Sequence, residues 1–80
     1  MAATRAFVLI ETAVGKTKEV HHHLKNIKDV SSVDAVTGPY DIIAVVQAPD
    51  LNGVGDVVTG RIHAIPGIAR TVTCLAVSVP

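Results

Sequence analysis

The run from Ile42 to Val46 constrains this chain more than any other feature, because each of its residues is apolar (Ile-Ile-Ala-Val-Val). Successive side chains of a β-strand point to opposite faces of a sheet. As a strand, the run would place Ile42, Ala44 and Val46 on one face, and Ile43 and Val45 on the other. A strand that is apolar on both faces must be covered on both faces.

A second segment near the N-terminus, residues 5–12, has the same character. Its apolar residues alternate between two faces, with Ala6, Val8 and Ile10 on one and Phe7 and Leu9 on the other. In a chain of 80 residues, two helices can cover one face of an antiparallel sheet. The most available cover for the other face is the same sheet of a second copy.

The spacing of apolar residues in the rest of the sequence predicts two helices and two further strands. Apolar residues at helical spacing (Val20, Leu24, Ile27) predict a first helix, and Asp50 is a candidate N-cap for a second. The predicted stripe of that second helix consists of Leu51, Val54, Val58, Ile62 and Ile65. The predicted strands span residues 5–12, 30–37, 41–48 and 68–77, and the predicted helices span residues 16–28 and 51–64.

This order, βαββαβ, interleaves two right-handed crossovers. We therefore predict the α+β class and a ferredoxin-like fold, in which a four-stranded antiparallel sheet carries both helices on one face. The strand at 30–37 is more polar than the others, so we expect it to be an edge strand or a partly exposed one. Nothing in the sequence indicates a linker, and we predict a single domain over residues 1–80.

Small domains of this length bury only about 60% of the surface that the unfolded chain exposes. Disulfides cannot supplement the core, because Cys74 is the only cysteine, and no Cys/His spacing suggests structural zinc. Oligomerisation is the support that agrees with two-faced strands. Free cysteines are most often buried, so we expect Cys74 to be a small core residue.

Charge and hydropathy exclude several classes of partner. Seven Lys and Arg residues are scattered along the chain and balanced by seven Asp and Glu residues, which argues against direct nucleic-acid binding. No apolar run reaches the ~20 residues needed to cross a bilayer, so no membrane role is expected. The N-terminus lacks the features of a signal peptide, and one lone cysteine suits a reducing compartment. We therefore expect the protein to be cytoplasmic.

No motif for catalysis, metal or cofactor is recognised. His21, His22 and His23 are adjacent, so on a helix they would point in three directions, whereas metal ligands on a helix share a face at a spacing of three or four. Gly15-Lys16-Thr17 matches the end of a phosphate loop, but Ile10 stands where the first glycine belongs. We predict no catalytic residue, no metal site and no cofactor.

Two blocks of sequence resemble a known family. The segment Val36-Thr37-Gly38-Pro39-Tyr40-Asp41 is similar to the Gly-x-Tyr-Asp turn in the effector domain of Lrp/AsnC transcription regulators, also called the RAM domain. The segment from Ile65 to Thr73 resembles the Pro-Gly-Val…Thr-x-Thr strand of the same family. Since no DNA-binding domain precedes these blocks, the chain resembles the stand-alone form of the module.

The resemblance implies a homodimer formed sheet to sheet as an α/β barrel, with dimers joined into higher-order rings. It also implies a small-molecule site, usually for an amino acid, where dimers meet, and co-assembly with paralogues that carry a DNA-binding domain. The ligand-binding candidates carried over from the matching motifs are Gly38, Tyr40, Asp41, Thr71 and Thr73.

The chemistry of these residues suits an amino acid. Asp41 would accept hydrogen bonds from the ammonium, and backbone N–H groups near Gly38 would hold the carboxylate. Tyr40 would cover the ligand side chain, and the threonines would add hydroxyls. The competing interpretation of Asp41 is a turn residue that bonds its own backbone, and that of Tyr40 is an interface anchor.

The leading hypothesis is thus an effector-binding and oligomerisation module that modulates Lrp/AsnC-type regulators, and not an enzyme. The alternative is a small dimeric α/β barrel enzyme, such as a cofactor-free monooxygenase or isomerase. Such enzymes wall their clefts with aromatics, whereas this chain has only Phe7 and Tyr40. An ACT-like regulatory domain would share the strand order and is a third candidate.

Overall fold

The computed structural model describes residues 3–79 of the chain. Its elements follow the predicted order of strands and helices. They are β1 (Thr4–Thr12), α1 (Thr17–Lys25), β2 (Val30–Ala35), β3 (Ile42–Ala48), α2 (Leu51–Val57), a π-helical segment (Val58–Ile62) that continues α2, and β4 (Ile68–Leu75).

The four strands form one antiparallel sheet in the order β2-β3-β1-β4. The two most apolar strands, β1 and β3, pair in the centre, with Val8 opposite Ala44 and Ile10 opposite Ile42. The more polar β2 lies at an edge, as its composition predicts. The ferredoxin-like arrangement predicted from the sequence is therefore confirmed.

The core lies between the sheet and the helices. On β1 and β3 it takes every second residue, and each of Ala6, Val8, Ile10, Ile42, Ala44 and Val46 has no exposed surface. Val20 and Leu24 of α1 cover one part of this face. The rest is covered by residues of α2, the π-helical segment and the turn after it, namely Val54, Val57, Val58, Ile62 and Ile65.

Among residues 3–79, no such layer covers the opposite face of the sheet, which we call the open face. Paired residues of antiparallel strands share a face. The register therefore gives this face an apolar centre made of Phe7, Leu9, Ile43, Val45, Val72 and Cys74. In the isolated chain Val72 is 38% exposed, and Phe7, Leu9, Ile43 and Val45 are half-buried.

Cys74 corrects one expectation. Its residue type predicts a buried core position, whereas Cys74 is exposed in the structure. The reason is its register. Cys74 pairs with Phe7, so it lies on the open face, while its neighbour Thr73 pairs with Val8 on the core side.

The helices are shorter or more irregular than predicted. α1 ends at Lys25 rather than Lys28, because Ile27 N–H bonds the Leu24 carbonyl in a tight turn, at 3.1 Å. The predicted cap of α2 is confirmed, since Asp50 Oδ1 accepts from Gly53 N–H at 2.8 Å. Leu51, predicted to lie on the apolar stripe, is instead 59% exposed. Within residues 3–79, no helix is long and apolar enough to cross a membrane.

Gly67 joins the start of β4 to the start of α1. Its carbonyl accepts from Ala13 N–H at 2.7 Å, and its φ is +98°. A Cβ at this position would lie 2.9 Å from Lys16 Cβ and 3.1 Å from Val20 Cγ2. Both the backbone conformation and the close approach of α1 therefore require glycine.

We expect Gly67→Ala to lower the free energy of unfolding by about 1–3 kcal/mol, because it adds a methyl group where neither the φ nor the space accepts one. Urea unfolding at fixed protein concentration measures the change. Gly55→Ala is the matched control. A Cβ there meets nothing within 4 Å, and alanine in a helix is favoured by up to about 1 kcal/mol. Equal stability of the Gly67→Ala variant and the parent would contradict this account of the packing.

Candidate functional site

Three connections of the chain meet at one end of the sheet. They are the β1–α1 loop, the β2–β3 turn (residues 36–41) and the loop that leads into β4 (residues 63–67). Ala13 N–H bonds the Gly67 carbonyl, and Asp41 N–H bonds the Ile10 carbonyl at 2.9 Å. We call this region the loop end of the sheet. Most of the sequence-predicted ligand residues lie there.

Gly38 and Tyr40 belong to the β2–β3 turn. Gly38 is exposed, has a φ of +148°, and would place a Cβ in open space. Tyr40 is half-buried. The turn is closed by Val36 N–H, which donates to the Asp41 carbonyl at 2.9 Å.

Asp41 is fixed by groups outside its own turn. Its Oδ2 accepts from Thr12 N–H at 2.8 Å and from the Thr12 hydroxyl at 3.1 Å. The alternative considered above, a carboxylate that bonds its own turn backbone, is therefore not what the structure shows for Oδ2. The carboxylate instead joins the turn to the end of β1, which is 29 positions away in sequence.

The Thr12 hydroxyl has a second partner at the start of α1. Its Oγ1 lies 2.6 Å from Thr17 Oγ1. Thr12, Thr17 and Asp41 are all half-buried. Neither threonine was predicted from the sequence, since threonine at the end of a strand or the start of a helix carries no distinctive pattern until the fold brings the two together.

Thr71 and Thr73 lie on the other side of β1, in the edge strand β4. Thr71 pairs with Ile10 and is half-buried, whereas Thr73 pairs with Val8, further along the strand, and is exposed. Because Ile10 pairs with Ile42 on its other side, β1 separates Thr71 from the β2–β3 turn. Two strand spacings of about 4.8 Å therefore lie between β4 and β3.

A surface depression of about 290 Å³ lies beside Thr71. It is lined by His63, Ile68, Ala69, Arg70 and Thr71. His63 Nε2 lies 2.9 Å from Thr71 Oγ1, and Arg70 approaches Glu11 Oε2 at 3.5 Å on the exposed surface. The π-helical segment precedes His63, whose N–H bonds the Val58 carbonyl at 2.9 Å. Neither His63 nor Arg70 was predicted from the sequence as a ligand-binding residue.

The opposite end of the sheet has a second depression, of about 520 Å³. Arg5 and Gln47, which pair between β1 and β3, line it together with residues 76–78. None of the motif residues lies there. In the histidine run of α1, His21 is half-buried and His22 and His23 are exposed. The rings of His22 and His23 meet edge to face, 6.3 Å between centroids. Residues 3–79 contain no cluster of three His, Cys, Asp or Glu side chains that could hold a metal ion.

Comparison with known proteins links this fold and turn to one family. The sequence profile of the Lrp/AsnC ligand binding domain matches residues 5–80. Over 76 residues, the chain is 37% identical to an uncharacterized HTH-type transcriptional regulator of Pyrococcus furiosus. That alignment takes in 91% of this chain and 51% of the regulator, so the chain spans about half the length of this curated relative.

Two solved structures share the fold. The crystal structure of TTHA0845 from Thermus thermophilus superposes with a TM-score of 0.90 and is 35% identical, with 96% of each chain covered. The transcriptional regulator NMB0573 of Neisseria meningitidis, crystallised as a complex with L-Met, superposes with a TM-score of 0.84. It is 17% identical, and the match covers 94% of this chain and 50% of that one, so it shows the likeness of fold alone.

We expect Asp41→Ala to lower the free energy of unfolding by about 1–3 kcal/mol, because it leaves Thr12 N–H without its partner and frees the β2–β3 turn. Asp56→Ala is the matched control, since Asp56 is an exposed acid on α2. Chemical unfolding of both variants and the parent at one protein concentration measures the difference. If Asp41→Ala is no more destabilising than Asp56→Ala, the link between turn and strand is energetically unimportant.

Proposed function

This chain belongs to the Lrp/AsnC ligand-binding domain family, and we propose that it is an effector-binding and oligomerisation module for a small molecule, an amino acid being the favoured class. The observation that carries the proposal is the family match over residues 5–80. The family consists of effector domains of transcription regulators, and we propose no catalytic role. The alternative of a small barrel enzyme has no support from the matched relatives.

The ligand class follows from the groups at the loop end of the sheet. Asp41 offers an acceptor for an ammonium, and Thr71 with His63 and Arg70 offers donors for a carboxylate. The L-Met complex of the Neisseria regulator supports an amino acid at the level of the shared fold. We retain Gly38, Tyr40, Asp41, Thr71 and Thr73 as proposed ligand-binding residues.

Within one subunit the two groups of candidates are separated by β1. The α-ammonium and α-carboxylate of an amino acid are attached to the same carbon, so one ligand cannot reach across two strand spacings with these groups alone. We therefore propose that a second subunit completes the site, with one group of candidates from each copy. This makes ligand binding dependent on assembly.

The open face supplies a surface for assembly. Charged residues of both signs surround its apolar centre. Arg5, Glu11, Asp34 and Arg70 share the open face by their register. Such a mixture is self-complementary, as a two-fold contact requires. We propose a dimer in which two sheets pack face to face, and larger rings formed through the loop ends.

The matched regulator is about twice as long as this chain and is named for its HTH-type architecture. We propose that this chain acts on such regulators by co-assembly through the shared domain, in the cytoplasm where they meet their DNA. With seven basic and seven acidic residues, it carries no net charge for a direct role on nucleic acid.

Leu9→Asp tests the face-to-face dimer. It places a charge at the centre of the open face, and burying an unpaired charge on each side of the contact should raise the dimer dissociation constant more than about 100-fold. Val14→Asp is the matched control, because Val14 is fully exposed in the β1–α1 loop. Sedimentation equilibrium gives the mass, and circular dichroism confirms folding. A parent protein that sediments as a stable monomer at micromolar concentration would refute the dimer.

Ligand binding is tested by thermal melting and gel filtration with the full set of proteinogenic amino acids. We expect at least one to raise the melting temperature by several degrees, with about 4–8 °C for each kcal/mol by which the bound ligand raises the free energy of unfolding. Asp41→Asn should greatly reduce the shift, because a neutral amide attracts an ammonium less strongly than a carboxylate does, and the des-amino analogue of the active amino acid should give a smaller shift than the amino acid itself. Melting and elution profiles unchanged by every amino acid would overturn the proposed ligand class.

A further inference from the structure

We propose that Thr17 and Thr12 are positioning residues, whose hydroxyls aim the Asp41 carboxylate at a cationic ligand group. This inference rests on the effector-binding function proposed above. It concerns two residues that lie outside the family motifs and outside the turn.

The direction of the bonds is set by how many protons each group has. An ionised carboxylate only accepts hydrogen bonds, so the Thr12 hydroxyl must donate its single proton to Asp41 Oδ2. Thr12 Oγ1 can then only accept in its contact with Thr17 Oγ1 at 2.6 Å. Thr17 is therefore the donor of that bond. The hydrogen bonds therefore form a series, in which Thr17 O–H donates to Thr12 Oγ1 and Thr12 O–H donates to Asp41 Oδ2.

Both hydrogen bonds to the Asp41 carboxylate are made to the same oxygen, Oδ2. Thr12 contributes both its N–H, at 2.8 Å, and its hydroxyl, at 3.1 Å, to Oδ2. Among the residues that the structure describes, no hydrogen bond is made to Oδ1. The two donors thus restrain Oδ2, while Oδ1 keeps its capacity to accept from a ligand ammonium.

Each of the three hydrogen-bonded residues lies on, or next to, a different element of secondary structure. Thr12 ends β1, Thr17 begins α1, and Asp41 precedes β3, where its N–H bonds the Ile10 carbonyl. Hydrogen bonds in a chain polarise and strengthen one another, and binding groups fixed by a surrounding shell lose less entropy on binding. Removing the remote Thr17 hydroxyl should therefore weaken ligand binding without touching the ligand.

The test compares Thr17→Val, which removes the hydroxyl at nearly constant shape, with Thr17→Ser, which retains it. Isothermal titration uses the proteinogenic amino acid that gives the largest melting shift with the parent protein. We expect Thr17→Val to weaken its binding about three- to tenfold and Thr17→Ser to restore it. Affinity for the des-amino analogue should be the same in all variants, a pattern that a general loss of stability would not produce.

Thr59→Val is the matched control. Thr59 also carries a helical hydroxyl, but it donates to the Gly55 carbonyl at 2.8 Å, within its own helix. Its loss should leave affinity unchanged. Should Thr17→Val fail to fold by circular dichroism, the smaller Thr17→Ala takes its place.

The outcomes separate the two proposals. An amino acid that binds parent and Thr17→Val equally overturns the positioning role and leaves the effector-binding function standing. If no amino acid binds the parent protein, the effector-binding function fails, and the positioning role fails with it. Equal weakening by Thr17→Val and Thr59→Val overturns the positioning role alone.

Discussion

The fold depends on the two central strands being apolar on both faces. On the core side, β1 and β3 contribute six residues without exposed surface, and the helices close over them. On the open side, Phe7, Leu9, Ile43 and Val45 are half-buried, and within the described part of the chain they are covered by one another and by the neighbouring strands alone. A domain this small has little core to spare, so a second apolar surface of this kind is a strong drive towards association. The proposed assembly follows from that surface.

The loop end of the sheet is organised differently, by hydrogen bonds rather than by apolar packing. Asp41 connects the β2–β3 turn to β1, Thr12 continues to α1, and Gly67 ties β4 to the loop after β1. Every connection at this end is therefore joined to another through a polar contact. A surface of this kind can be rigid without being apolar, which suits a site for a small charged molecule.

Much of the fold could be predicted from the periodicity of apolar residues in the sequence. The strand faces, the edge position of β2, the cap at Asp50 and the order of elements were all predicted, because each depends on residues close in sequence. The errors have local causes. Leu51 matched the helical stripe but lies at the first position of α2, beyond the reach of the sheet. Cys74 was assigned to the core because its type is usually buried, whereas its face depends on the pairing of β4 with β1.

Only part of the candidate site could be predicted from the sequence. The sequence pointed to the turn with Gly38, Tyr40 and Asp41 through the family motif, and it named Thr71 and Thr73 on β4. It did not show that β1 separates these two groups, or that Thr12, Thr17 and His63 stand beside them.

What the sequence determined by itself is the secondary structure and the need to cover two apolar faces, since both are written in the alternation of neighbouring side chains. Only the tertiary structure decided which polar groups meet at the loop end. Hydrogen bonds between residues 29 positions apart depend on strand register and on the path of the loops, and single residue types do not encode these.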